Sequence, residues 1–481
     1  MSGERRVTVI GGGLAGIAAA LDCARAGVPV TLLESRGRLG GAAYSFTRDG
    51  INADNGQHVF LRCCTAYREL LELIGATDSV TLQDRLEIPV LAPGRRRARL
   101  WRSRLPAPLH LAGALARYPL LSVGERARVA RAMRSLGAID TDDRAVDERS
   151  FGDWLAEQRQ SERAIESIWS LIVRPTLNLE PADASLAQAA QVFQVGLLGE
   201  RGAGDIGYAR VPLSEIHDRA AMAALQRAGV DVRLRTGVTG ILATSGGFRV
   251  EQNGAPTLCS EAVIVAVQPD RLARLIPAAA GIDRATLAGL GSSPIVNLHF
   301  VFDRRVTDLP FAAGVGTPVQ WLFDRTGSAG LEHGQYLAIT LSAAGAELAM
   351  TSDELRQRYH TALAELLPEV ENATVEAFFV TREHAATFRA APGARALRPG
   401  PETQLPGLVL AGAWTDTGWP ATMEGAVRSG HAAADQALSA LAGAPRASSE
   451  NGNGHRPALP LPTRSAEPLD HASELIAGGS G

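Results

Sequence analysis

The stretch that decides the fold runs Val7-Thr8-Val9-Ile10-Gly11-Gly12-Gly13-Leu14-Ala15-Gly16, continues as apolar residues to about Ala26 and Gly27, and closes on Val30-Thr31-Leu32-Leu33-Glu34. Four apolar or β-branched residues make a short buried strand, an apolar run of helical length follows, and a second short strand ends on an acid. Each glycine of the turn answers a separate steric demand. Gly11 permits the tight turn, Gly13 lets backbone approach a pyrophosphate, and Gly16 lets the helix pack close to the sheet. Leu14 and Ala15 open the helix, whose free N–H groups and positive dipole end suit phosphate. Glu34, at the end of the second strand, is placed to accept from both hydroxyls of a ribose. A strand, a glycine loop, a helix, a strand and an acid in this order define a dinucleotide-binding unit.

The residues after Glu34 identify the nucleotide. Arg36 lies two residues beyond the acid, and Arg38-Leu39-Gly40-Gly41 comes next. A Gly-Gly pair there resembles the second phosphate-side contact of the FAD-dependent amine oxidase and phytoene desaturase superfamily. Enzymes that bind NAD at this point continue into another strand–helix unit. The expected cofactor is therefore FAD.

Working outward, 481 residues suffice for two domains with sizeable cores. A hydrophobic content of 46% with 21% charged residues belongs to an ordinary globular protein. Net charge is −3, so no global field draws the chain to nucleic acid. Cys23, Cys63, Cys64 and Cys259 form no C-x-x-C pair, which fits a reducing, cytoplasmic setting. No apolar run approaches the roughly 20 residues needed to cross a bilayer. All 48 basic residues are arginine. That excludes lysine chemistry: Schiff bases, P-loop phosphate binding, and the lysine–water contact to flavin found in many amine oxidases.

Composition and periodicity predict an α/β chain. A Rossmann-like FAD-binding domain is assembled from discontinuous segments, 1–90, 207–269 and 401–443, and a mixed α+β substrate domain from 91–206 and 270–400. In the second nucleotide segment Pro212 to Arg227 reads as a helix, and Val230–Leu234, Val238–Leu242 and Ala262–Val267 read as strands. In the substrate domain Ser150 to Leu171 reads as one long helix, and Val296 to Phe302 alternates as a half-buried strand does. Residues 444–481 are rich in Pro, Gly, Ser and Asn without periodicity and are expected to be disordered.

Residues 95 to 134 stand apart, with eleven arginines and a single acid, Glu125. Interleaved are Leu105-Pro106-Ala107-Pro108-Leu109-His110-Leu111, Leu115, Tyr118, Leu120 and Leu121. Basic residues beside a short apolar stretch predict a helix lying in the headgroup region of an anionic membrane, at the inner face, in place of a solvated basic surface over an ordinary core helix.

Two further strings carry chemistry. Asp54-Asn55-Gly56-Gln57-His58 reads by itself as a polar turn, its Asn-Gly favouring positive φ. Near the C-terminus Leu408 to Gly412 is a strand meeting a glycine, and a helix starts near Thr422 with Met423, Glu424, Gly425 and Ala426 in its first turn. Small residues there allow N–H groups and the dipole to approach the pyrimidine edge of a flavin.

Together these strings, with Ala209-Arg210-Val211-Pro212-Leu213-Ser214 and Pro420 to Gly430, resemble the hydroxysqualene dehydroxylases over most of residues 6 to 440. The resemblance implies reductive removal of the hydroxyl of hydroxysqualene, giving squalene for hopanoid or related triterpene synthesis. It implies that Glu34 holds the adenosine ribose, that Arg36, Gly40 and Gly41 lie along adenosine and phosphates, and that Val238 meets adenine through its backbone. Gly412 and Met423 to Ala426 would line the ribityl and isoalloxazine, and Gly56 and Gln57 would also contact the cofactor. Two positions depart from the wider pattern. Ala42 stands where arginine is common, and Ala413 where an acid is. No cysteine lies near the C-terminal motif, so the FAD is expected to be non-covalent. There is no second nucleotide fingerprint, so the reductant is external.

In such chemistry the protein must protonate a leaving hydroxyl, shield an allylic cation from water, and align carbon with flavin. His58 is the first candidate for the acid or its hydrogen-bond partner, with Asp416 and Glu424 as alternatives. Trp414 and Trp419 are candidates for cation stabilisation or pocket wall. The partner expected is a hydrophobic isoprenoid. A phytoene-desaturase-like lipid oxidoreductase, or a flavin-binding membrane scaffold without turnover, remains open at this point.

Overall fold

The computed structural model describes residues 5–443; the expected disorder of 444–481 lies outside the described residues. Val7–Ile10 forms the middle strand of a five-stranded parallel sheet. Its order is Asp231–Arg233, Val30–Leu33, Val7–Ile10, Ala262–Val265, Leu408–Leu410. The register sets Val7 opposite both Val30 and Ala262, and Val263 opposite Leu408. Strands distant in sequence thus meet in one sheet. All three inner strands are buried along their whole length, as strands covered on both faces must be.

The fingerprint helix Leu14–Arg25 leaves the first strand through Gly11, whose φ of +108° is a conformation that residues with a Cβ rarely adopt. A Cβ on Gly16 would collide with the Gly11 carbonyl oxygen, so the helix can turn this tightly only with glycine there. The 20-residue helix Met423–Ala442, capped by the Thr422 hydroxyl accepting from the Gly425 N–H, lies against the first helix.

A seven-stranded sheet makes the second layer. Its order is Val375–Thr387, Ser293–Phe302, Gln335–Ser342, Trp321–Asp324, Phe311–Gly314, Glu87–Ala92, Arg96–Trp101. One face buries Val296, Leu298 and Phe300 under Leu355, Tyr359 and Leu363 of the helix Ser352–Leu366. The opposite face presents Asn297 and His299, and it is this face that meets the nucleotide-binding half.

Four expectations change. Ser150–Leu171 is not one helix. Phe151–Glu157 ends at Gln158, Arg159 takes a positive φ, and Ser161 caps a new helix at Glu162. The strand around Val296–Phe302 is buried on both faces, because its polar residues point into a packed interface and not into water. Residues 95–101 are not helical: Arg96–Trp101 is the edge strand of the large sheet, paired with Glu87–Ala92, so a boundary after residue 90 falls inside a strand. Neither Asn55 nor Gly56 has a positive φ.

Candidate active site

The absence of left-handed backbone at Asn55-Gly56 is explained by the bonds Asn55 makes. It is buried, and its backbone N–H donates to the Tyr44 carbonyl at 2.9 Å. Its side-chain oxygen accepts from the Tyr44 N–H at 3.0 Å, and its amide donates to the Ala42 carbonyl at 2.9 Å and to Glu383 at 3.0 Å. Its own carbonyl accepts from Asn297 Nδ2 at 2.7 Å and from the Thr381 hydroxyl at 3.0 Å. Behind Thr381 stands His299, at 3.2 Å through Nε2, with Tyr336 Oη at 2.6 Å from its Nδ1. Since Thr381 spends its hydroxyl proton on Asn55, His299 donates from Nε2 and accepts from Tyr336. Asn55 therefore bolts the glycine-rich half to the large sheet.

Asp54 completes the bolt. It accepts from the Ser45 hydroxyl at 2.6 Å and the Leu213 N–H at 3.0 Å, and pairs with Arg325 at 2.8 Å. Arg325 also donates to the carbonyls of Ala209 at 2.5 Å and Val211 at 3.3 Å. Two of the strings singled out in the sequence, 54–58 and 209–214, are thus held by one arginine that the sequence reading missed. Arg325 sits in a loop after Trp321–Asp324 with no local signal. Asn297 and His299 did leave one, as polar residues at alternate positions of an apolar strand.

The bolt sets Gln57 and His58 on a cleft shared with Val59, Tyr208, Leu213 and Phe323. Tyr208 and Phe323 are its aromatic wall, backed by Phe311 and Trp321 with ring centroids 5.7–6.3 Å apart. His58 retains some accessible surface, but that surface faces this cleft, and burial pushes its pKa down to about 4. It is neutral at pH 7. Close by, His217 is also pushed down to about 4, first by burial and then by His58. Its Nδ1 lies 3.2 Å from the Ala43 carbonyl, which accepts, so its Nε2 accepts from the Tyr67 hydroxyl at 2.8 Å.

The other two catalytic candidates lie elsewhere. Glu424 is buried, and its carboxylate accepts from the N–H groups of Ala66 at 3.2 Å and Tyr67 at 2.8 Å and from Arg428 at 2.6 Å. It caps the helix Thr65–Ile74 with charge complementary to the dipole. Asp416 accepts from the Gly418 N–H at 3.2 Å and lines a separate cleft with Gln188, Arg395 and Arg398. The structure does not bring His58, Asp416 and Glu424 together. Neither tryptophan faces the His58 cleft. Trp414 donates to the Val267 carbonyl inside the core, and one face of Trp419 is covered by Arg428, 4.8 Å from the ring centroid.

The nucleotide residues do converge. Gly40 follows the fingerprint closely, its N–H donating to the Gly12 carbonyl at 2.9 Å, while Asp218 holds the Leu39 N–H at 2.9 Å. Glu34 is buried at the foot of the loop, accepting from the N–H groups of Gly12 and Arg36 at 2.7 Å each. The Glu34 carbonyl accepts from Thr236, which draws the strand beginning at Val238 alongside; the Val238 carbonyl itself accepts from Arg271. At the far end Gly412 donates to Ser429 at 2.8 Å, just below the first turn formed by Met423 to Ala426.

Two features fit a pyrophosphate. A Cβ on Gly13 would find only the Gly41 Cα, at 3.7 Å, so the space above Gly13 is a cradle between the two glycine turns. Beside it Arg38 stacks on Tyr44 at 3.6 Å and gives Nη1 to the carbonyls of Leu39 and Gly41, leaving Nη2 buried with no partner. A guanidinium nitrogen so placed suits an anion. It stands four residues before Ala42, where the wider pattern has its arginine. At Ala413 the missing acid is matched by a different device. Arg398 donates to the carbonyls of Ala413, Trp414 and Thr415, fixing the loop from beneath.

A dinucleotide cradle joined to a mixed, mostly antiparallel sheet through a buried polar bolt is the architecture of a flavin-dependent oxidoreductase. Residues 14–438 match the flavin containing amine oxidoreductase family, and the chain belongs to it. Hydroxysqualene dehydroxylase from Rhodopseudomonas palustris is 31% identical, the match covering 91% of this chain and 99% of the relative. The enzyme of the same name from Sinorhizobium fredii is 29% identical over 90% and 99%. A probable zeta-carotene desaturase from Synechococcus elongatus is 24% identical over 91% and 99%. Among solved structures, a redesigned putrescine oxidase superposes with a TM-score of 0.68 at 20% identity, covering 90% of this chain and 99% of its own. The protein is an FAD-dependent oxidoreductase.

Proposed function

We propose that the protein removes the hydroxyl of hydroxysqualene reductively, giving squalene. The observation that carries this reading is the likeness to the Rhodopseudomonas palustris hydroxysqualene dehydroxylase over nearly the full length of both chains. The geometry adds an aromatic wall, Tyr208 and Phe323 with Phe311 and Trp321 behind them, beside an uncharged His58, in a chain without lysine. Such a wall suits an apolar chain better than an amine.

When bound, reduced FAD would supply a hydride, and the balance is simple: alcohol, hydride and one proton give hydrocarbon and water. Everything else falls to the protein's own residues. The wall excludes water, and Tyr208 and Phe323 offer ring faces to positive charge, worth about 0.5–2 kcal/mol per ring. His58 is neutral, so it serves as a hydrogen-bond donor to the departing hydroxyl or relays a proton, and does not hold a standing positive charge. Glu424 and Asp416 are assigned positioning roles, Glu424 through the helix it caps and Asp416 through the loop at Gly418.

The test monitors the flavin absorbance of the purified protein. It should bleach with dithionite under argon and recover stoichiometrically on adding hydroxysqualene, with squalene formed. Recovery with amines instead would refute the reading. Bleaching of the oxidised enzyme by a polyene would favour the desaturase direction, which the zeta-carotene desaturase likeness keeps in view.

A further inference from the structure

Five large hydrophobic side chains are exposed among the described residues, and three of them lie within nineteen positions: Leu105, Leu109 and Val123, at 52%, 57% and 78% exposure. Between them Pro106, Pro108, Ala112, Ala116 and Pro119 are exposed as well. This is not a loosely held segment. Its inner side is packed, with Ala114, Tyr118, Leu120 and Leu121 buried and the Tyr118 hydroxyl donating to the Ser167 carbonyl at 3.1 Å. Arg126 ties its two helices, Ala112–Ala116 and Val123–Leu136, by donating to the carbonyls of Ala116 and Leu121. Arg201 fastens the other end through the Arg104 carbonyl at 2.9 Å. A segment anchored on its inner side gains nothing for folding from leucines on its outer side.

The exposed charge carried by this segment itself has one sign. Its only acid, Glu125, is buried and accepts from Ser122 and Ser161, so it offers no carboxylate to the surface. Among the described residues Arg104, Arg117, Arg128, Arg131 and Arg134 have no carboxylate partner, whereas Arg95, Arg99 and Arg102 are paired with Glu371, Glu87 and Asp205. Arg117 folds back over Gly113, and Arg128 over Gly124 beside Val123, so guanidinium groups border the apolar residues. Exposed apolar residues bordered by free arginines suit a surface that is apolar a few ångströms down and anionic at the top. No described helix is long and apolar enough to cross a membrane.

We propose that Leu105, Leu109 and Val123, with Arg104, Arg117 and Arg128, form a docking surface for an anionic lipid bilayer. The leucines and the valine enter the headgroup–acyl boundary while the arginines engage lipid phosphates. The proposal rests on this surface alone and not on the substrate assignment. It also moves the contact away from Arg96, Arg97 and Arg99, which sit on a sheet edge.

The test is flotation of the full-length, FAD-loaded protein with vesicles of phosphatidylcholine, with and without 30% phosphatidylglycerol as a chosen composition (about a third anionic lipid, within the range that supports polybasic binding). Binding is expected only to the anionic vesicles and should weaken as salt rises. The triple change Arg104→Gln, Arg117→Gln, Arg128→Gln should lower it about a hundredfold, at about 1 kcal/mol per basic group. The triple change Leu105→Ser, Leu109→Ser, Val123→Ser should lower it at least about tenfold, while Leu242→Ser, an exposed leucine elsewhere, should leave it unchanged. Flavin content and circular dichroism show that each variant is folded. No binding to anionic vesicles at low salt, equal binding to neutral vesicles, or full binding by both triple variants would overturn the proposal. Turnover of detergent-dispersed hydroxysqualene by the triple variants reports separately on the reaction.

Discussion

Replacing Arg325 by Met tests whether the bolt between the two sheets holds as described. Arg325 and Asp54 are 7% and 4% exposed at their side chains, so neither charge can turn to water when the other is removed. Met keeps most of the stem volume but removes the ion pair and the bonds to Ala209 and Val211. Asp54 then keeps only the Ser45 hydroxyl and the Leu213 N–H. Breaking one side of a buried pair costs about 3–5 kcal/mol. With an unfolding entropy of about 2.1 cal/mol/K per residue, a chain of this size loses roughly 1 °C of Tm per kcal/mol, so the midpoint should fall by about 3–5 °C. Adding Asp54→Asn should restore part of the loss, since the amide no longer needs a cation and still accepts from Ser45. The assay is scanning calorimetry at saturating FAD. A fall below about 1 °C for the single variant, or a double variant worse than the sum of the singles, would refute the reasoning.

Four other outcomes are expected. Gly13→Val has room to fold but fills the phosphate cradle, so the variant should be folded by circular dichroism and purify without yellow colour; acid precipitation of the wild type should release all its FAD, as a non-covalent cofactor requires. His58→Ala should retain its flavin and form product about 10²–10⁴-fold more slowly, and an unchanged rate would return His58 to a wall-lining role. Burial depresses His217 to about 4 and His299 to about 3 from the ordinary 6.5, so unfolding takes up protons between those values. They cost no stability above pH 6.5 and destabilise the fold progressively as pH falls toward 4, on the order of 3 kcal/mol for His217 alone. Urea midpoints should drop over that window, and His217→Gln should flatten the drop.

The nucleotide half is legible in the sequence because its demands are local. A turn that admits no Cβ at Gly11 and Gly16, an acid at a strand end and a Gly-Gly pair announce themselves within about 35 residues. The C-terminal string is legible for the same reason, with Thr422 capping the helix where the sequence places its start. What escapes is long-range. Asn55 and Asp54 look like a turn because their partners, Asn297, Thr381, Glu383 and Arg325, are hundreds of residues away in the chain. The alternation in Val296–Phe302 is visible, but its polar side reads as facing water when it faces Asn55. The chemistry of His58 depends on burial, which no local pattern reports. Arginine density suggests a helix on a membrane surface within 95–134, yet over 96–101 the β-hairpin with Glu87–Ala92 overrides it, and the outward leucines of 105–123 become visible only once the inner face of that segment is known.

The central claim is that a hydride from flavin replaces the hydroxyl of an isoprenoid alcohol in this site. Enzyme reduced in D₂O under argon and given one equivalent of hydroxysqualene should yield squalene carrying one deuterium at the carbon that lost oxygen, with flavin reoxidised in equal amount. Squalene without that deuterium, or flavin that stays reduced while the alcohol is consumed, would contradict it.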